Sequence, residues 1–284
     1  MLKSLTRAWK SLLPPAAPLS MRSTSSGANS RATLANKVAM ITGSTSGIGL
    51  AIARRLAQDG AHVVVSSRKQ QNVDRAWWQH CRGRGLSVMG TVVPCGKAED
   101  RERLVATTLE HCGGVDFLVC VAAVNPLVGS TLGSSEQIWD KILNVNVKAP
   151  AMLLSQLLPH MEKRRQSSVV LVSSVSAYKP IARLGAYNVS KTALLGLTKT
   201  LAVELAPKNI RVNCLVPGMI ETDFSQMVRT KTSSWTTPLT TGKPSLARLG
   251  QPEDCAGLVS FLCSPDASYI TGESIAVAGF SPHL

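Results

Sequence analysis

The segment GAYNVSK places Tyr187 four residues before Lys191. Residues four apart on a helix share a face, so the lysine ammonium can stand beside the tyrosine phenol. A free phenol titrates at about 10. A neighbouring positive charge favours the phenolate, which predicts a Tyr187 pKa pulled toward neutrality and a side chain able to shuttle protons. Ser174 lies thirteen residues before Tyr187, at the end of the apolar run SSVVLVSS, with Ser173 as its adjacent competitor. A second pattern precedes these, TGSTSGIGLAIARRLA, with glycines at 43, 47 and 49 where an apolar run gives way to helical spacing. Gly43 permits a tight turn. Gly47 and Gly49 let the backbone approach a pyrophosphate, and the helix N-terminus offers unpaired N–H groups to the phosphates. Ser44, Ser46 and Ile48 belong to the same loop and are assigned with the glycines to dinucleotide binding.

The next apolar run ends VVVSSRKQQ. A site selective for NAD would offer an acid to the ribose hydroxyls at this point. Here Ser66 and Ser67 offer hydroxyls, and Arg68 and Lys69 offer positive charge suited to a 2′-phosphate, which favours NADP(H). The alternative is a basic, solvated turn.

Seven short apolar runs, KVAMITG, AHVVVSS, LSVMGTVV, VDFLVCVAA, SSVVLVSS, IRVNCLVPG and ESIAVAG, alternate with helical segments from residue 36 onward. Nearly every position in each run is apolar, as in strands of a parallel sheet covered on both faces. The alternation predicts one α/β domain over residues 32–284, a doubly wound (Rossmann) parallel sheet of about seven strands with helices on both faces. Ligands bind such sheets at the carboxyl edge, where Ser174 and Tyr187 would emerge. SEQIWDKILNVNVKAPAMLLSQLLPHMEKRR predicts one long helix, kinked where Pro150 has no N–H to give the carbonyl of Asn146. That freed carbonyl can bind a water and give Lys191 a proton route to solvent. Residues 223–247, rich in Thr, Ser and Pro, predict a mobile substrate loop with little helical period.

The formal charge of +14 is unevenly placed: Lys3, Arg7, Lys10, Arg22 and Arg31 occupy residues 1–31 with no acid, leaving +9 for the remainder. Leu2, Leu5, Trp9, Leu12 and Leu13 recur at near-helical spacing, followed by Pro-rich and Ser-rich stretches. This predicts a mitochondrial targeting leader over 1–31, cut between about residues 20 and 31, the alternative being a disordered basic tail. The matrix is the expected address. No apolar run approaches the roughly 18 residues of a membrane span, and no membrane partner is expected. Aromatic residues make up only 4% and are not interleaved with a basic stripe, which argues against nucleic-acid binding. Seven cysteines form no Cys-x-x-Cys pair and predict reduced core residues rather than a disulfide or zinc framework; no metal is expected.

Thr-Gly-x-x-x-Gly-x-Gly at 42–49, a serine thirteen before a Tyr-x-x-x-Lys, and Pro217-Gly218 after the sixth run together resemble the short-chain dehydrogenase/reductase family over residues 36–280. Within it, SSRKQQNVD, GKAEDRERLVA and NVSKTALLGLTKTLA are most similar to the dehydrogenase/reductase member 2 and member 4 group, NADPH-linked carbonyl and dicarbonyl reductases. The resemblance implies hydride transfer to a ketone, aldehyde or dicarbonyl with Tyr187 as proton donor. It makes Ser174 the residue that hydrogen-bonds the substrate oxygen, Lys191 the support of Tyr187 and holder of the nicotinamide ribose, and Asn146 the fourth catalytic member. It also lets Pro217, Gly218, Ile220 and Thr222 pass beside the nicotinamide and phosphate, and implies a homo-dimer or homo-tetramer and a nuclear or cytoplasmic pool. Leu154, Leu158 and Leu195 fall off the sheet-facing stripes of the two longest helices, which predicts a second apolar face for such an assembly.

Three departures from the family pattern support an alternative, a catalytically weakened scaffold acting through a regulatory protein partner. Val121 in CVAA replaces an asparagine, Pro94 stands where many members have an aspartate at the adenine edge, and Trp77 and Trp78 interrupt a helix that cannot bury both. The intact Asn146, Ser174, Tyr187 and Lys191 favour the enzyme.

Overall fold

A computed structural model describes residues 33–80, 86–164, 166–231, 246 and 248–279, without the side chains of 76–80, 229 and 231. The leader, the Trp77 and Trp78 side chains, Cys81 and most of 232–247 lie outside the described residues.

All seven expected runs form strands: β1 (Val38–Thr42), β2 (His62–Ser67), β3 (Val88–Val92), β4 (Phe117–Cys120), β5 (Ser167–Val172), β6 (Ile210–Pro217) and β7 (Ser274–Val277). They pair in parallel in the order β3-β2-β1-β4-β5-β6-β7. The chain runs outward from β1 to β3 and then returns to β4 beside β1, as the register Ile41↔Val119 records. Connections leave in opposite directions at that point and open a crevice at the carboxyl ends of β1 and β4. β1, β4 and β5 are buried at every position. The edge strands β3 and β7 have no fully buried residue, so the expectation of cover on both faces fails for these two, which lack a neighbour on one side.

Helices pack on both faces. On one, α1 (Gly47–Gln58) and α8 (Pro252–Cys263) set Ile52, Leu56, Val259 and Leu262 against Ile41, Val63 and Leu215. On the other, α3 (Ala98–Cys112), α5 (Ala149–Met161) and α6 (Gly185–Leu205) set Leu104, Leu153, Leu157 and Leu194 against Met40, Val64 and Leu118. Of the remaining helices, α2 (Gln70–His80) follows β2, α4 (Glu136–Leu143) follows β4 and α7 (Asp223–Lys231) follows β6. The cysteines at 95, 112, 120, 214, 255 and 263 are free.

Three sequence expectations are corrected. The long helix is not one helix: α4 and α5 are joined by a π-turn over Asn144–Lys148, in which the Ala149 N–H donates to the Asn144 carbonyl. Pro150 cannot serve the carbonyl four residues back, and the ladder takes the wider register before it. The segment after residue 222 begins as a helix, α7, whose Phe224, Met227 and Val228 pack with Leu184 and Tyr187. Finally, Leu154 is buried in the core and Leu158 and Leu195 are partly buried against it. The exposed apolar residues of these helices are instead Leu143, Met152, Val189 and Val203.

Candidate active site

A cavity of about 550 Å³ follows the carboxyl edge of the sheet. The glycine loop forms its floor. Gly43 has φ +64°, and a Cβ there would lie 2.8 Å from the Ala122 Cα, so the left-handed turn and the close strand both require glycine. A Cβ on Gly49 would meet the Gly43 carbonyl at 2.3 Å. Ser46 precedes α1 in an extended conformation without a side-chain cap, leaving the first-turn N–H groups unclaimed by it. Thr45, Ser46, Gly47 and Ile48 face the cavity.

Ser44 departs from its assignment. It is fully buried, its hydroxyl donates to the Ile41 carbonyl at 2.7 Å, and it accepts from the Ser66 N–H at 3.0 Å. It braces the loop against β2 and does not line the cavity. Ser66 is likewise buried and turned inward, whereas Ser67 and the exposed Arg68 and Lys69 do line it.

Across the sheet, β5 delivers Ser173 and Ser174, which a two-residue pleat sends to different tasks. Ser173 donates to the Lys191 carbonyl at 2.7 Å and ties strand to helix. The Ser174 hydroxyl accepts from the Ser176 N–H at 3.1 Å and hydrogen-bonds the Tyr187 phenol. Tyr187 and Lys191 lie one turn apart on α6, with the Lys191 ammonium 5.5 Å from the centre of the Tyr187 ring. That ammonium donates to the Val172 carbonyl at 2.8 Å.

The expected fall in the Tyr187 pKa is overturned. Burial pushes the phenol up to about 12, opposed only in part by its hydrogen bond from Ser174. The Phe224 ring of α7 stands 5.6 Å from the Tyr187 ring and contributes to that burial. Burial also brings Lys191 down to about 8, with the nearby Cys214 opposing the shift. Desolvation therefore keeps the phenol neutral and weakens the hold of the lysine on its own proton.

Asn146 is buried at 1% exposure on the π-turn. Its Oδ1 accepts from the Val124 N–H at 2.8 Å, and its Nδ2 donates to the Val124 carbonyl and to the Ser190 hydroxyl. Ser190 in turn donates to the Tyr187 carbonyl at 2.7 Å, linking the asparagine to the helix turn that carries Tyr187. Pro217, Gly218, Ile220 and Thr222 all line the cavity. The Thr222 hydroxyl accepts from the Ser225 N–H at 3.2 Å and so caps α7, while its methyl group packs on Gly47.

Val121 and Pro94 line the cavity as apolar wall. Thr45, Ser190 and Phe224 were not singled out from sequence, although Ser190 sits three residues after Tyr187, the spacing at which a serine bonds back along a helix. Among the described residues, no cluster of three or more His, Cys, Asp or Glu could hold a metal, and no helix is long and apolar enough to cross a membrane.

A family model described as enoyl-(acyl carrier protein) reductase matches residues 43–280. The human dehydrogenase/reductase SDR family member 2, mitochondrial, is 66% identical over 284 residues, covering all of both chains. The human dehydrogenase/reductase SDR family member 4 is 61% identical over 266 residues, 93% of this chain and 94% of that one. Among solved structures, a 3-ketoacyl-(acyl-carrier-protein) reductase from Brucella melitensis complexed with NADH superposes with a TM-score of 0.77 at 32% identity, over 87% of this chain and 98% of that one. An actinorhodin polyketide ketoreductase variant with NADPH gives 0.79 at 30% identity, over 86% and 96%.

Proposed function

Because the chain belongs to the short-chain dehydrogenase/reductase family of oxidoreductases, we propose that it reduces ketones, aldehydes or dicarbonyls with NADPH. The observation that carries this reading is one cavity lined by the glycine loop, by Arg68 and Lys69, and by Ser174, Tyr187 and Lys191. The cavity fits a dinucleotide: Thr45, Ser46, Gly47 and Ile48 at the N-terminus of α1 face it, and Arg68 and Lys69 rather than an acid follow β2. Gly43, Ser46, Gly47, Ile48 and Gly49 would hold the pyrophosphate, Ser67, Arg68 and Lys69 the 2′-phosphate end, and Pro217, Gly218, Ile220, Thr222 and Lys191 the nicotinamide half. NADPH when bound supplies the hydride.

The chain's own residues supply the rest. Tyr187, neutral up to about pH 12, holds a proton that it can give to the substrate oxygen as charge develops there. Ser174 directs its hydroxyl to the same oxygen. Lys191 stabilises the phenolate left behind, an interaction strengthened by the dry surroundings. Asn146 fixes Val124 and, through Ser190, the Tyr187 turn. Leu184, Phe224 and Val228 give the substrate end an apolar lining.

Titration of the full chain with NADPH and NADH, followed by turnover with diacetyl and a quinone, tests the reading. A charge-assisted contact to the 2′-phosphate predicts at least about tenfold tighter NADPH binding. Tyr187→Phe should abolish turnover while retaining NADPH binding. Equal affinity for the two cofactors removes the NADP assignment, and full turnover by Tyr187→Phe removes the mechanism.

A further inference from the structure

Asn144 and Asn146 leave the π-turn two residues apart and hold different loops. Asn146 clasps Val124, after β4. Asn144 reaches the loop after β3, where its Nδ2 donates to the Gly96 carbonyl at 2.9 Å. Val145 packs on the same glycine, its Cγ2 lying 3.5 Å from where a Cβ would stand. The preceding carbonyl, that of Cys95, accepts from Arg101 Nη1 at 3.0 Å. Arg101 is only 5% exposed, and its Nε has no partner among the described residues. Two consecutive carbonyls of this loop are thus held by side chains from α3 and the π-turn.

Pro94, Cys95 and Gly96 form part of the cavity wall, and the Val93 N–H before them is tied to the Ser67 carbonyl at 2.8 Å. Their wall therefore adjoins the end of β2 that carries Arg68 and Lys69. Pro94 brings neither an N–H nor a polar side chain. Where this wall stands, rather than any group on Pro94, decides how it meets a ligand. We propose that Asn144 is a cofactor-positioning residue that, with Arg101, sets the adenosine end of the dinucleotide site by fixing the Pro94–Gly96 loop. The inference rests on the nucleotide reading given above. It makes the π-turn a joint between the two halves of the site, with Asn144 serving the adenosine half and Asn146 the half that holds Tyr187.

Adenosine 2′,5′-bisphosphate, which has no nicotinamide half, separates these roles. Its Kd, measured by calorimetry on the full chain, should rise about three- to tenfold in Asn144→Ala, the size expected for one lost neutral hydrogen bond. Asn144→Asp should lose more, because a carboxylate would face the Gly96 carbonyl. KM for NADPH should rise by the same factors, with kcat falling by less. A merely structural role predicts the opposite split: disturbing the π-turn would release the Asn146 clasp and lower kcat at least as much as KM rises. That split, or bisphosphate binding equal to the unaltered chain in both variants, overturns the inference alone. If the unaltered chain binds neither the bisphosphate nor NADPH, the nucleotide reading fails and takes the inference with it.

Discussion

Lys191 carries a burden that its position on the helix face does not announce. It is 3% exposed, and its burial lowers its pKa from 10.5 to about 8. Between these values the unfolded chain binds a proton that the folded chain does not, so the contribution of this group to stability rises with pH from about 8 to 10.5 and is lost as pH falls through 8. Below pH 8 the penalty is full, on the order of 3 kcal/mol. Lys191→Met removes it together with the bond to Val172, so the Tm of the variant relative to the unaltered chain should be highest near pH 7 and decline toward pH 10.5. A difference independent of pH would mean that the lysine keeps its ordinary affinity for protons. The same titration predicts that kcat/KM for NADPH, which reports groups of the free enzyme, falls above about pH 8, since the protonated lysine is the form that stabilises a Tyr187 phenolate. Tyr187 itself stays protonated through this range. The pairing of Tyr187 with Lys191 is legible in five letters of sequence, but the direction of the tyrosine pKa is not. It depends on Phe224 and Val228, which reach the phenol from a different element. The inward turn of Ser44 escapes sequence for the same reason, because its partner, the Ser66 backbone, is supplied by β2.

At the scale of elements, the π-turn is the feature on which the site depends most directly. Pro150 alone signals a break in the hydrogen-bond ladder; whether the chain answers by bending or by widening its register is settled by what the turn can hold, and here the register widens. Here Asn144 and Asn146 find partners on two strand-end loops, Gly96 and Val124. Pro150→Ala restores an N–H to the position four residues after Asn146 and permits an α-helical register, which advances each side chain by about 100° per residue. Turnover should fall by more than about tenfold, the cost of misplacing a site by roughly an ångström, while the added hydrogen bond keeps Tm unchanged or raises it. Undiminished turnover would show that the wide register exists without the proline and that Pro150 is not its cause. The seven strands were legible because a parallel sheet buries nearly every residue of its central members, as in β1, β4 and β5. α7 was not, because nine residues give too few turns for a helical period to stand out, and its order comes from packing on Leu184 and Tyr187.

For the whole molecule, surface and charge make two demands that the fold alone does not meet. Residues 1–31 carry five basic residues and no acid, and the 66%-identical human relative is named mitochondrial. We expect a C-terminal fluorescent fusion of the full chain to enter mitochondria and the same fusion without residues 1–31 to remain outside; identical cytosolic signal from both would remove the leader. The second demand is apolar. Leu154 sinks into the core, yet Met152 on α5 and Val189 on α6 keep 39% and 49% of their surface, and Val203 keeps 79%. A helix interior gains nothing from exposed β-branched residues, whose propensity is below that of the straight-chain residues suited to a solvated face. The two exposed valines of α6, with Met152 exposed on α5, therefore point to cover by another surface. Closed two-fold symmetry would supply it from the same helices of a second copy, each patch serving as its own complement. A dimer or tetramer is the expected state, and Val203→Glu should shift it toward monomer, since a carboxylate on the covered face would be stripped of water. Light scattering at micromolar concentration distinguishes the states, because the single chain has a mass of 30.2 kDa. A particle of that mass that turns over substrate would show that the exposed valines need no partner and that the site is complete in one chain.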